Sequence, residues 1–206
     1  MTKMAEEFLK VYEILRLDVD SVLYPHATEA ELLNVSQYAF GSTYSLTSAQ
    51  RRSVVRAIFA LAEASCYFLR RRLLETDSII PALSSAQRLA LAEEQVAISP
   101  SGLVQTTSMR VGTMALIRMT FQVYADVFGR PSPACSGPAF EALVNTMKVR
   151  DRLMHPKGVA QLEVTDKEID EAVIGFSWVN VAVLNSVRAH TASMVVSRLK
   201  KQASIE

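Results

Sequence analysis

The sequence predicts an all-α protein, a single up-and-down helical bundle over residues 1–206 with about five to seven helices. Apolar residues recur at the i, i+3, i+4, i+7 spacing of a helix along most of the chain. Polar capping residues, Gly and Pro stand where these stripes begin and end. No segment has a convincing strand pattern, and no repeat or low-complexity stretch is present.

Three helices are predicted in the first half of the chain. They are residues 3–23, a long helix over about 49–75 capped by Thr47 or Ser48, and a short helix over 86–98 capped by Ser84 or Ser85. Residues 24–46 are predicted to be a loop, in which residues 29–38 are a candidate short helix. Ser99-Pro100-Ser101-Gly102 has the composition of a turn.

Three further helices are predicted in the second half. They are a helix over about 105–128 closed by Gly129, a helix from Phe140 that stops at His155, and a long helix from the capping box Thr165-x-x-Glu168 to Lys200 or Lys201. The stretch from Gly129 to Pro138 is rich in Gly and Pro and is predicted to be a loop. The predicted core includes Ile58, Leu69, Met147, Phe176 and Val183.

Composition is that of a globular chain without a global electrostatic field. Half of the 206 residues are hydrophobic, and the net charge is only +1, so any basic surface must be local. Cys66 and Cys135 suggest neither a disulfide framework nor a metal pair. The longest apolar run, residues 173–184, is too short to span a bilayer, and no cleavable signal pattern is found at the start. We therefore expect a soluble cytoplasmic protein.

The nine residues from Lys148 to Pro156 interrupt the apolar pattern of their helix with charged residues. The apolar stripe of this helix comprises Phe140, Leu143, Val144, Met147 and Met154. Arg150 and Asp151 fall on that stripe, where a charge needs a partner or a function. Lys148 and Arg152 fall on the opposite face, as ordinary solvent charges. Pro156 disfavours the α conformation at the preceding residue, so the helix is predicted to stop there.

The predicted helix stop has a chemical consequence for His155. Within one straight helix, Arg150 and His155 would point roughly 140° apart, at about 100° per residue. Once His155 is released from the helix, both side chains could reach a single phosphate. The C-terminal end of a helix also favours a positive imidazole, so a fixed cation would stand beside a group that titrates near neutrality.

A purely structural interpretation of these residues stays open. Arg150 could form an ion pair with Asp151, Glu63 or Glu171, and His155 could simply end the helix.

The remaining histidines and the arginine run offer weaker candidates. Arg70-Arg71-Arg72 is interpreted as a solvated helix end rather than a phosphate-binding patch. His26 and His190 are interpreted as plain surface or packing residues.

The segment Arg150-Asp151-Arg152-Leu153-Met154-His155 resembles the signature of HEPN domains (higher eukaryotes and prokaryotes nucleotide-binding). That signature is an arginine followed, after four to six residues, by a histidine, commonly with a polar residue directly after the arginine. Here Asp151 holds the polar position, Pro156 follows the histidine, and the motif ends the penultimate helix. The resemblance covers about seven residues in motif, and it implies the same helical-bundle fold for most of the chain.

The resemblance also implies an activity. Many HEPN proteins are metal-independent endoribonucleases that act as homodimers, with two motifs facing one cleft. Carried onto this chain, His155 would be the general acid or base, Arg150 would hold the phosphate, and Asp151 would orient one of them. Lys148 and Arg152 would add substrate-binding charge. Attack by the RNA 2′-hydroxyl would leave a 2′,3′-cyclic phosphate, and neither a metal nor another cofactor would be required.

The resemblance leaves several biological roles open. Such nucleases commonly serve as toxins or in defence against phage, often with an antitoxin partner. Other HEPN domains are inactive and serve as binding or assembly modules, and an unrelated helical regulatory protein is a further alternative.

Overall fold

The computed structural model describes residues 3–23, 46–79 and 82–203, and within them the side chains of residues 6, 10–21, 46–76 and 82–188. Within these segments it contains six α-helices and one two-stranded sheet, which confirms the all-α prediction. The helices are α1 (Lys3–Leu23), α2 (Ser48–Ile79), α3 (Ser85–Leu91), α4 (Thr113–Phe128), α5 (Pro138–Met154) and α6 (Asp166–Ala203), with a 3-10 helix at Val159–Leu162. The candidate short helix over residues 29–38 lies outside the described residues.

Helix ends follow the capping signals of the sequence. Thr47, Ser84 and Thr165 each exchange hydrogen bonds with the side chain and backbone of the residue three positions later. These capping boxes satisfy backbone N–H groups that a first helical turn leaves open. Gly129 closes α4 in the left-handed conformation, at φ 58°, which glycine adopts without steric cost.

A β-hairpin replaces the second half of the helix predicted over residues 86–98 and the start of the helix predicted over about 105–128. Strands β1 (Glu94–Ile98) and β2 (Val104–Ser108) pair antiparallel across the predicted turn at residues 99–102. The prediction that no strand exists was therefore wrong. Almost every hairpin side chain is exposed or half-buried, so the sequence lacks the apolar alternation that a strand with one buried face would show.

The chain divides into two compact units. One comprises the described residues up to Ser65 together with Ser136–Asn180, and the other comprises Cys66–Cys135 together with the described residues from Val181 onward. The first unit has a continuous apolar core formed by Val19, Leu46, Val54, Val55, Ile58, Leu61, Val149, Leu153, Val164, Ile169, Ala172, Val173 and Phe176. A single domain over residues 1–206 stays a prediction.

Four of the five predicted core residues are buried. Ile58, Leu69, Phe176 and Val183 are at most 7% exposed, whereas Met147 is only half-buried. None of the helices in the described segments is long and apolar enough to cross a lipid bilayer.

Helices α5 and α6 approach closely in the first unit because one of them carries a glycine at the contact. A Cβ atom added to Gly175 would lie 2.8 Å from the Leu143 Cα, a distance that real Cβ atoms essentially never show. Nearby, the rings of Phe140 and Trp178 meet edge to face, with centroids 4.9 Å apart. This contact fixes α5, the helix that carries the candidate motif.

Candidate functional site at the end of α5

Helix α5 ends where the sequence predicts. Its last residue is Met154, and His155 leaves the helical conformation at φ −131° and ψ 56°. The His155 N–H still donates to the Asp151 carbonyl, at 3.1 Å, while its side chain is exposed. Within the described part of the chain, the imidazole has no hydrogen bond or ion pair. The imidazole is therefore accessible from solvent.

The buried face of α5 differs from the predicted one. Ala142, Leu143, Thr146, Val149 and Leu153 point into the core, whereas the predicted Met154 is 49% exposed. The prediction that a charge stands on the core line is wrong for Asp151, whose side chain is 51% exposed. Arg150 is partly buried, with its side chain 28% exposed, and lies at the edge of the buried stripe.

Arg150 lies at the margin of the core with two carboxylates around it. Its Nη1 is 3.0 Å from Asp151 Oδ1, and its Nη2 is 3.7 Å from Glu63 Oε1 on α2. The guanidinium also lies over the Phe59 ring, 5.7 Å from the centroid, a cation–π distance. Two of the three ion-pair partners considered from sequence are thus confirmed. The third, Glu171, is 4.0 Å from Lys167 instead.

Arg152 has a structural role that the sequence interpretation missed. Its guanidinium donates to both carboxylate oxygens of Glu168, at 3.0 and 3.2 Å, and to the Glu163 carbonyl at 2.6 Å. The expectation that Arg152 is an ordinary solvent charge was wrong, because a carboxylate and a carbonyl already accept from both of its terminal nitrogens, Nη1 and Nη2. Lys148, by contrast, is exposed, and its Nζ donates to Asn145 Oδ1 at 3.1 Å.

The Glu168 carboxylate receives donors from two directions. It accepts the Thr165 N–H in the capping box of α6 as well as the Arg152 guanidinium. Burial raises the pKa of Glu168, but the Thr165 backbone and Arg152 hydrogen bonds outweigh burial and hold this pKa below its ordinary value. The charged form is therefore the one that ties the end of α5 to the start of α6.

Three arginines hold the segment that follows His155. Three successive carbonyls accept from them: Leu162 from Arg52 at 3.4 Å, Glu163 from Arg152 at 2.6 Å, and Val164 from Arg51 at 3.2 Å. Arg51 also forms an ion pair with Asp166 at the start of α6. Guanidinium groups suit this task because each offers several donors in a fixed plane. No sequence signal predicts these contacts, because every residue has a backbone carbonyl whatever its identity.

The arginine run on α2 is not uniformly solvated. Arg70 is 6% exposed and its Nη2 lies 2.6 Å from Glu93 Oε1, whereas Arg71 is exposed. Glu93 itself has a positive φ of 57° at the start of the hairpin. The predicted solvated helix end is therefore wrong for Arg70, which anchors the base of the β1–β2 hairpin.

The predictions for the other two histidines concern side chains that the structure does not describe. His26 lies outside the described residues, and the His190 side chain lies beyond the described side chains of α6.

The groups available at the end of α5 are a guanidinium, two carboxylates and an exposed imidazole. The structure brings Arg150, Asp151 and Glu63 together, and it places His155 one residue beyond the same helix with its side chain exposed. Within the described residues no cluster of three or more His, Cys, Asp or Glu side chains is arranged to hold a metal ion.

Comparisons with known families, with curated proteins and with solved structures each found no match to this chain.

Proposed function

We propose that this chain is a HEPN-like, metal-independent endoribonuclease whose phosphate-handling site is the end of α5. The observation that carries the proposal is the helix break at His155, which puts an exposed imidazole next to a helix end that bears a partly exposed arginine. A phosphodiester needs a cation for its oxygens and a group that moves a proton near neutral pH. Arg150 and His155 are those two residue types.

In the proposed reaction, the RNA supplies its own nucleophile. His155 accepts the proton of the 2′-hydroxyl as the 2′-oxygen forms a bond to phosphorus. The bond from phosphorus to the 5′-oxygen breaks, and that oxygen takes up a proton from water or from the second imidazole of the dimer proposed below. The products are a 2′,3′-cyclic phosphate and a 5′-hydroxyl. Arg150 stabilises the negative charge that grows on the phosphate oxygens, a contribution worth about 10²–10³ in rate.

The carboxylates around Arg150 are compatible with this role because they are weak partners. The Glu63 side chain is 40% exposed and its contact with Arg150 is long, at 3.7 Å. Exposed ion pairs of this kind contribute about 0–1 kcal/mol, so an RNA phosphate can displace them at little cost. Asp151 then stays beside Arg150 as the group that orients it, and Lys148 adds an exposed positive charge on the same helix.

We propose a homodimer in which two copies of this site share one cleft, since a second motif would supply both a proton acceptor and a proton donor. A role as a toxin or in phage defence, in the cytoplasm and with an antitoxin or another protein partner, belongs to the same proposal.

A second candidate function is a non-catalytic HEPN-like binding or assembly module. The pairing of Arg150 with Glu63 and Asp151, and of Arg152 with Glu168, favours it, because these contacts neutralise the two arginines within the protein itself. On this alternative, Arg150 stabilises the packing of α5 on α2 and the site binds no phosphate.

The chemistry of the substrate separates the two candidates. We expect the purified chain to cut single-stranded RNA in the presence of EDTA and to leave cyclic phosphate ends. The same sequence as DNA, or as RNA methylated on every 2′-oxygen, should be untouched because it lacks the nucleophile. Cleavage of DNA would refute this mechanism, and intact RNA with and without Mg²⁺ would favour the non-catalytic module.

A further inference from the structure

The β1–β2 hairpin presents an apolar face that nothing in the described part of the chain covers. Side chains alternate across a sheet, and the register pairs Val96 with Thr106 and Ile98 with Val104 on one face. Val96, Ile98 and Val104 are 57%, 73% and 71% exposed. Exposed apolar groups that cluster on one face mark a surface for association.

The outer edge of β2 has backbone groups that are directed away from β1. At the base of the hairpin, the Met109 N–H donates to the Glu93 carbonyl, at 2.7 Å. Because inward and outward residues alternate along an antiparallel strand, the N–H and C=O groups of Val104, Thr106 and Ser108 face outward. No strand among the described residues pairs with this edge, so it can accept another strand.

The hairpin has no charged residue beyond Glu94, the first residue of β1. Residues 95–109 contain no Asp, Glu, Lys or Arg. Edge strands are commonly protected from self-pairing by charges, proline or bulges, and the five residues of β2 have no charge and no proline. A two-fold axis brings residues close to their own copies, where like charges would repel. Two copies of the uncharged β2 edge can pair without repulsion between like charges. A charged partner strand, by contrast, would find no opposite charge on this edge.

We infer that β2 is a homotypic pairing strand through which two copies of this chain associate. The two β2 strands pair antiparallel about a two-fold axis at Thr106, with Val104 opposite Ser108 of the partner subunit. The hairpins then form one four-stranded sheet, which is consistent with the marginal stability of an isolated two-stranded hairpin in water. The edge of β1 is less suitable, because the equivalent pairing would place Glu94 opposite Ile98. This interface does not depend on the proposed nuclease activity.

The Arg70–Glu93 pair holds the hairpin base in place for this association. The Arg70 side chain is 8% exposed, and its Nη2 lies 2.6 Å from Glu93 Oε1, directly before β1. Because this ion pair holds the hairpin in one orientation before the second copy binds, less conformational entropy is lost when the strands pair.

Sedimentation equilibrium of the full chain tests the interface. We expect a reversible wild-type dimer in the micromolar range. Thr106→Pro removes the central outward N–H, and Thr106→Lys places two like charges at the axis, so each should weaken association about tenfold or more. Ser101→Lys adds the same charge in the turn, outside β2, and should leave the dimer intact. Far-UV circular dichroism identifies any variant that has lost its helices.

Amide hydrogen exchange tests the same interface in the unaltered chain. As protein concentration rises, exchange should slow at the outward amides of Val104, Thr106 and Ser108, while the inward amides of β2 stay unchanged. A wild-type monomer throughout the micromolar range would overturn the inference. It would also be overturned by a dimer that keeps its affinity in both Thr106 variants, loses it equally in Ser101→Lys, or leaves those three amides unprotected.

Discussion

The Arg150 guanidinium lies 3.7 Å from the Glu63 carboxylate, so α5 and α2 supply the cation and one counter-ion of the same site. Arg150 is therefore a phosphate-binding candidate that already has an anionic neighbour. Any RNA that binds there must compete with Glu63, and the strength of this competition is measurable.

Removing the Glu63 charge should strengthen RNA binding. In Glu63→Gln, the side chain keeps its shape but no longer competes as an anion, so we expect the dissociation constant for a short single-stranded RNA to fall about two- to tenfold, the equivalent of an exposed ion pair. Fluorescence anisotropy with a 2′-O-methyl oligonucleotide measures binding without cleavage.

Glu171→Gln is the matched control for this measurement. Glu171 is also on a helix of the first unit, but its ion-pair partner is Lys167. Its loss should leave RNA affinity unchanged. Equal affinity for wild type and Glu63→Gln would show that Arg150 does not contact the RNA.

Replacing Arg152 should destabilise the fold rather than remove a substrate contact. In Arg152→Met, the Glu168 carboxylate loses the Arg152 donors and keeps only those of Thr165, and the Glu163 carbonyl loses its Arg152 donor. We expect the free energy of unfolding in urea to fall by about 1–3 kcal/mol. Lys148→Met, an exposed residue of the same helix, should change it by no more than about 0.5 kcal/mol. A stable Arg152→Met variant with weakened RNA binding would restore the substrate role.

The contribution of Glu168 should depend on pH in one direction. Its pKa is lowered in the folded state, by hydrogen bonds from Thr165 and Arg152 that outweigh burial. A carboxyl of this kind stabilises the fold fully above its unfolded pKa, and the stabilisation disappears as pH falls through the lower folded pKa. The stability difference between wild type and Glu168→Gln should therefore shrink as the pH falls from the unfolded pKa of Glu168 through its lower folded pKa. A difference that grows with acid would contradict the assignment.

Helix ends were the part of the fold that local sequence determined best. Thr47, Ser84, Thr165 and Gly129 all act as predicted, because a cap needs only a few neighbouring residues. The β1–β2 hairpin escaped prediction for the opposite reason. Its strands are exposed on both faces, and the Arg70–Glu93 pair that anchors it joins residues distant in sequence.

The orientation of α5 was mispredicted because a polar residue serves in the core. Thr146 is 1% exposed, and its hydroxyl donates to the Ala142 carbonyl one turn earlier, at 2.8 Å. A hydroxyl satisfied by its own helix packs like an apolar group, so the buried stripe includes Thr146 and excludes Met154. The helix stop at His155 was predictable from Pro156 alone. The donors that hold the next segment were not, because they come from distant residues such as Arg51 and Arg52.

The close approach of α5 and α6 gives a test of the fold itself. Gly175→Ala would bring a methyl group within 2.8 Å of the Leu143 Cα, and a backbone atom cannot move aside as a side-chain tip can. We expect a loss of about 1–3 kcal/mol in the free energy of unfolding. Gly158→Ala is the control, since nothing lies within 4 Å of its added Cβ. Thermal unfolding of the two variants should differ clearly, and equal midpoints would contradict the packing described here.

Cleavage of a uniform single-stranded RNA in EDTA tests the proposed function most directly. Under single-turnover conditions, wild type should release 2′,3′-cyclic phosphate ends, and Arg150→Ala and His155→Ala should each slow this rate about 10²-fold or more. Lys148→Ala, which removes an exposed charge from the same helix, should lose much less. All three variants should keep the wild-type free energy of unfolding within about 1 kcal/mol, because these side chains are partly or fully exposed. If wild type leaves the RNA intact while Arg150→Ala unfolds the protein, Arg150 is a structural ion-pair residue and the nuclease proposal is wrong.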